Sequence, residues 1–254
     1  MENRKIEKDR GHISCLGTDM SNEKLSLALS SPLVKNQNGL LSAIPMLEFE
    51  RWAKNLEWVD LKLGQVLQEA GVSMNFVYFP TTSIISLLYV LGDGASTEIA
   101  VIGHEGVLGI PLLMGNNSSP NRAIVQSAGS ALRLKGSVIK AEFDHSKVVQ
   151  HLMLSYMQAL MAQMTQTAVC NRHHSLDQQL CRWLLLSLDR FNGSELRMTQ
   201  ELIANMLGVR REGVTTAALK LQKSGLIKYS RGLIHILDRK GLEARSCECY
   251  SVVK

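Results

Sequence analysis

Between positions 210 and 221, Arg210, Arg211, Glu212, Thr215, Thr216 and Lys220 interleave with Val214, Ala217 and Leu221 at three- and four-residue spacing. On a helix that spacing sends the two sets to opposite faces. The polar set has a definite chemistry. A guanidinium donates to two acceptors at once, as a guanine edge requires, a carboxylate accepts from a cytosine amino group, and a threonine methyl touches a thymine methyl. All but Lys220 also fall in the first two turns, the end of a helix that enters a major groove. A solvated polar face would carry similar residue types, so the surrounding elements decide between the readings.

Those elements read as two helices joined by a tight turn. Thr199 suits an N-cap, where its hydroxyl accepts from a free first-turn amide. Ile203, Ala204 and Leu207 make the inward face of the first helix, with Ala204 small where a second helix must cross. Gly208 stands in the turn, where a left-handed backbone costs least. Val209 packs beneath it, Val214, Ala217 and Leu221 face inward from the second helix, and Gly225 closes it. The small residue, turn glycine and buried valine together indicate a helix-turn-helix. Behind it, Leu226 to Leu237 gives two short apolar strands flanking Ser230-Arg231-Gly232, a hairpin with a basic tip that reads as a wing. Lys228 and Arg231 would neutralise phosphates, supplying affinity and register. The candidate DNA-contacting set is Thr199, Gln200, Arg210, Arg211, Glu212, Thr215, Thr216, Lys220, Lys228 and Arg231.

Upstream, the texture predicts an α+β chain. Residues 1–30 are polar and aperiodic and read as a flexible tail. Apolar spacing from Ser42 to Leu61 supports one or two short helices. From Lys62 to about Lys135, β-rich runs at Asn75–Phe79, Ser83–Leu91, Glu98–Ile102, Ala123–Ser127 and Ala131–Leu134 alternate with glycine-rich turns. That pattern predicts a barrel or jelly roll. His104-Glu105 sits in one of those turns and reads as a loop-fixing pair. Val149, Met153, Tyr156, Leu160, Met164 and Ala168 line one face of a long helix over about Ser146 to Val169. Such a stripe serves core packing or a seam with a twin helix. A further helix, about Leu176–Phe191, turns Leu180, Trp183, Leu184 and Leu188 inward and stops at Asn192-Gly193.

Composition agrees with this division. Residues 1–171 hold 14 Lys/Arg against 15 Asp/Glu, and residues 172–254 hold 14 against 8, so the whole excess of the +5 net charge lies in the last third. One domain is thus suited to a polyanion and the other is not. No apolar run approaches membrane-spanning length and the first residues lack a secretory pattern, which predicts a soluble, cytoplasmic chain with no membrane partner. The five cysteines match neither a disulfide framework nor a zinc finger. Cys247 and Cys249 read as ordinary thiols, His173 and His174 as solvated or capping side chains, and no metal is expected. No phosphate-binding loop, nucleophile elbow, zinc-protease motif or paired catalytic carboxylates occur, so no catalytic residue is expected. A rival to the DNA reading is a ligand-binding module whose winged helix docks protein. The basic groups Arg210, Arg211, Lys228 and Arg231 argue against it.

At Arg182–Leu185, Met198–Val214 and Gly225–Asp238 the chain resembles the Crp/Fnr family of bacterial transcription regulators. The resemblance implies a cyclic-nucleotide-binding-like β-roll over 31–140, a dimerisation helix over 141–171 and a winged helix-turn-helix over 172–245, leaving 246–254 as a tail. It implies a homodimer on two-fold-related double-stranded DNA, with RNA polymerase as a further partner. It also implies departures. Arg211 and Glu212 match the family's recognition helix, but Thr216 stands where a second arginine is common. Ile110 replaces a ribose-binding carboxylate and Arg122 is displaced by one position, so the usual cyclic-nucleotide binding is not expected. Cys15 alone cannot supply the N-terminal iron–sulfur cluster of the oxygen-responsive branch. No cofactor is evident and the effector-binding residues are unknown.

Overall fold

The computed structural model describes residues 31–190 and 195–254. The expected tail over 1–30 and the Asn192-Gly193 helix stop lie outside the described residues. Three short helices come first, α1 (Pro32–Lys35), α2 (Gly39–Ala43) and α3 (Met46–Ala53). Ser31 and Asn38 cap the first two by accepting from Val34 N and Leu41 N. The Asn38 amide also donates to the carbonyls of Pro80 and Gly106, at 2.9 Å each, pinning these helices to the β domain.

Seven strands follow: β1 (Glu57–Leu61), β2 (Val66–Gln68), β3 (Phe76–Pro80), β4 (Ile84–Val90), β5 (Ser96–Ile102), β6 (Arg122–Ser127) and β7 (Gly129–Lys135). The short helix α4 (Ile110–Leu113) interrupts them, and α5 (Gly136–His145) succeeds them. They form two antiparallel sheets, β1-β7-β3 and β2-β6-β4-β5. Val77, Phe79, Leu132 and Leu134 of the first meet Ile85, Leu87, Ala100, Ile102 and Val125 of the second in one buried cluster. That is the expected two-sheet roll. The start differs from expectation: Met46–Ala53 is helical, but Glu57–Leu61 is a strand, paired with β7 from Glu57↔Arg133 to Leu61↔Gly129.

The long helix α6 runs Lys147–His173, capped by Ser146, whose hydroxyl accepts from Val149 N. Its inward stripe is Val149, Met153, Leu160, Gln163 and Cys170. Ala168, expected inward, is exposed; the 3.6-residue period carries the buried stripe round to Gln163 and Cys170 by the last turns. Helix α7 (Leu176–Asp189) begins with a Ser175–Gln178 capping box and buries ten consecutive residues, Gln179 to Leu188. Then come β8 (Glu195–Arg197), α8 (Gln200–Leu207), α9 (Arg211–Lys223), β9 (Ile227–Ser230), β10 (Leu233–Ile236), α10 (Arg239–Arg245) and α11 (Cys249–Val253). The last nine residues are therefore not a loose tail. Cys247, Cys249 and Tyr250 are buried, and the Tyr250 hydroxyl donates to Asp189 Oδ2 at 2.9 Å.

The two halves share a core. β4 is buried on both faces over Ile84–Leu88, the signature of a covered strand. Ile84, Leu88 and Val101 turn away from the roll interior into a second cluster with Leu180, Trp183, Leu184 and the helix-turn-helix residues Ile203, Met206 and Leu207. Polar ties reinforce the seam. Trp183 Nε1 donates to Glu98 Oε1 at 3.0 Å and Gln126 Nε2 to Ser187 Oγ at 3.0 Å. Arg190 Nε donates to Glu105 Oε1 at 2.6 Å, so the His104-Glu105 turn is held as expected and also joins the domains.

Candidate nucleic-acid interface

Thr199 accepts from Leu202 N at 3.2 Å, capping α8 as its sequence position requires. Gly208 ends the helix at φ 65, ψ 36. A side chain there would face left-handed strain and would meet Thr97 of β5, whose Oγ1 lies 3.0 Å from the position of an added Cβ. Glycine is thus required twice, by the turn and by the approach of the β roll. Ile203, Ala204, Leu207, Val214, Ala217 and Leu221 are buried as expected.

This packing leaves the other face of α9 outward. Arg210, Arg211, Glu212, Thr216 and Lys220 are exposed, and Thr215 is half-buried. Two threonine hydroxyls are occupied internally. Thr215 Oγ1 lies 2.7 Å from Gln200 Oε1 and 3.0 Å from the Arg211 carbonyl, and Thr216 Oγ1 donates to the Glu212 carbonyl at 2.9 Å. Gln200 and Thr215 thereby brace the α8–α9 angle, and Thr216 keeps its methyl for apolar contact. Lys220 Nζ is 3.0 Å from Asp177 Oδ2 at the start of α7, so a phosphate must compete with that ion pair. Arg210, Arg211 and Glu212 stand exposed together at the N-terminus of α9.

The wing forms a three-stranded sheet in the order β8-β10-β9. Its hairpin turns through Arg231 and Gly232 at φ 50 and φ 76, the paired left-handed backbone of a two-residue loop. Lys228 and Arg231 are exposed. The wing is fastened to the helix pair by Tyr229 Oη donating to the Met198 carbonyl, Met198 N donating to the Gly232 carbonyl, and Tyr229 N donating to Gln222 Oε1, at 2.7–2.8 Å. In the β roll, Ile110 is buried within the core and Arg122 pairs with Glu69 at 3.1 Å.

Sequence reasoning missed one cluster. Cys170, His174, Cys247 and Cys249 bring their ligand-type atoms within 4.8 Å of one another. Cys247 and Cys249, read from the sequence as ordinary thiols, and His174, read as solvated or capping, thus stand together with Cys170 in one cluster. The Cys-x3-His spacing at the end of α6 and the Cys-x-Cys pair were the available signals.

A β roll joined through a long helix to a winged helix-turn-helix defines a two-domain architecture. Residues 178–245 match the Crp-like helix-turn-helix domain. Among solved structures, a Crp/Fnr-family protein from Eubacterium rectale is similar at TM-score 0.66 and 20% identity, over 83% of this chain and 98% of that one. FixK2 from Bradyrhizobium japonicum is similar at TM-score 0.64 and 16% identity, over 76% and 98%. A CRP-family transcriptional regulator from Thermus thermophilus is similar at TM-score 0.62 and 16% identity, over 74% and 96%. No curated protein matches the chain in sequence. The chain carries a Crp-like helix-turn-helix domain and has the fold of the Crp/Fnr transcriptional regulators. No helix among the described residues is long and apolar enough to cross a membrane.

Proposed function

We propose that this chain is a sequence-specific DNA-binding transcription regulator that acts as a homodimer in the cytoplasm. The observation that carries the reading is the exposed Arg210-Arg211-Glu212 corner of α9, set beside a wing that offers Lys228 and Arg231. Two such corners related by a two-fold axis read half-sites about one helical turn, ~34–36 Å, apart. Phosphate contacts from the wing set register, and Arg211 with Glu212 discriminates bases. A regulator of transcription recruits or blocks RNA polymerase, which makes polymerase the third partner.

The β roll acts as scaffold or sensor, and cyclic AMP bound in the usual way is not its signal. Ile110 has no group to hold a ribose hydroxyl, and Arg122 is engaged by Glu69. Fluorescence anisotropy on the gene's own upstream DNA and on a scrambled duplex, across salt, tests the reading. The wild type prefers upstream DNA, and Arg211→Ala reduces that preference by about 1–3 kcal/mol. A folded dimer that binds neither duplex at low salt would sink the proposal and leave a protein-docking winged helix.

A further inference from the structure

Three of the buried cysteines lie apart from both apolar cores. Cys170, at 0% exposure, Cys247, at 5%, and Cys249, at 0%, form a cluster of their own. Cys170 lies in the last turn of α6, and His174, four residues on, caps that helix. A four-residue step keeps both on one side of the helix. The Cys247-Glu248-Cys249 segment, which leads from α10 into the first residue of α11, closes over them. Cys170 Sγ is 3.6 Å from Cys247 Sγ, and His174 Nδ1 is 3.4 Å from Cys249 Sγ.

Those two separations match one ion, and all four ligand atoms lie within 4.8 Å of one another. Tetrahedral zinc, with Zn–S of about 2.3 Å and Zn–N of about 2.0–2.1 Å, holds sulfurs about 3.8 Å apart and sulfur and nitrogen about 3.5 Å apart. A disulfide would need about 2.05 Å. The surroundings point the same way. His174 Nε2 is 3.3 Å from Glu248 Oε1, the carboxylate–histidine contact that fixes the tautomer and leaves Nδ1 for a metal. Gln166 Nε2 donates to Cys249 Sγ at 3.0 Å, a contact suited to a thiolate. Cys181, buried among Leu180, Leu184 and their neighbours, shows by contrast a thiol used as a small apolar group.

We propose that Cys170, His174, Cys247 and Cys249 form a structural site for one thiophilic divalent ion of the zinc class. Four protein ligands leave no open position, which marks a structural rather than a catalytic centre. The soft S3N set selects zinc over calcium or magnesium. Binding releases the three thiol protons to solvent and leaves a site of net charge −1. The ion ties the C-terminal segment to the junction of α6 and α7, where the β roll hands over to the DNA-binding domain.

The test uses the full chain, reduced and stripped with a chelator, titrated with Co2+ and then Zn2+, together with metal analysis of the protein as expressed. Expected are one zinc per chain, tetrahedral cobalt bands with thiolate charge transfer, and displacement of cobalt by zinc. Cys249→Ser and His174→Gln lose stoichiometric zinc, and Cys181→Ser keeps it. Glu248→Gln, altering an exposed side chain, should weaken zinc by about 10–100-fold and remains informative if the cysteine variants fail to fold. Cobalt bands unchanged in folded Cys249→Ser would overturn the proposal. So would a reduced wild type that takes up no zinc, whether or not the unreduced protein carries a Cys170–Cys247 disulfide.

Discussion

Arg231 illustrates how a single residue divides stability from function. It occupies φ 50, a left-handed backbone that a side chain disfavours, at a hairpin position where glycine or asparagine is the usual choice. The strain is tolerated because the neighbouring Gly232 carbonyl and Tyr229 tie the turn to the helix pair. Arg231→Gly should therefore raise stability by up to about 1 kcal/mol, the relief of strain less the added chain entropy. The same change should weaken binding to all DNA sequences alike and lower the log–log salt slope by about 1 per protomer. Thermal unfolding and salt-dependent anisotropy measure the two halves, and an unchanged salt slope would remove Arg231 from the phosphate contacts. At this scale the helix-turn-helix was legible, because it compresses its turn glycine, buried valine and polar face into one short segment. The cysteine–histidine cluster was not, because Cys170 and Cys247 are 77 residues apart and meet only where the C-terminal segment folds back on α6.

Helix α6 carries the argument for assembly. With one face on the β roll, its opposite side shows Leu154 at 50% and Met161 at 67% exposure, seven residues apart and followed at the same interval by the exposed Ala168. A seven-residue apolar repeat on a solvent face is the pattern of a two-helix seam. Each Leu or Met buried there contributes about 1.5–3 kcal/mol. Replacing both, as Leu154→Glu with Met161→Glu, should weaken self-association by at least about 100-fold and leave the helical circular dichroism intact. Sedimentation equilibrium decides it: a variant that remains as dimeric as the wild type would place the seam elsewhere. Elements were readable in the sequence where one periodicity governs, as in α6, α8 and α9. β1 was hidden because only Leu61 of its five residues is buried, so no alternation marks Glu57–Leu61 as a strand. Pairing with β7 makes it one.

Across the whole molecule, the seam between the roll and the helix-turn-helix domain holds a buried carboxyl. Glu98 is buried on β5, and burial raises it from 4.5 to about 7, against the pull of its Ser86 and Trp183 hydrogen bonds and the positive fields of Arg182 and Arg190. The bonding pattern suits the neutral form. Ser86 Oγ lies within hydrogen-bond distance of both Glu98 Oε2 and Gln126 Oε1, yet a hydroxyl has one proton. A protonated Glu98 donating to Ser86, with Ser86 donating to Gln126 and Gln126 to Ser187, satisfies every member of the chain. A folded-state value above the unfolded one means that the folded protein holds the extra proton between pH 4.5 and about 7. The resulting stability is fully present below 4.5 and is lost as pH rises through about 7. The loss is on the order of 3 kcal/mol. Glu98→Gln mimics the neutral acid, since its carbonyl can accept from Trp183 and its amide donate to Ser86, so it should abolish this component. Urea unfolding of both proteins, near pH 5 and near pH 8, isolates the term as the difference between their pH slopes. Parallel slopes would mean that Glu98 reaches water or a further cation in solution, and the seam would then not depend on its proton.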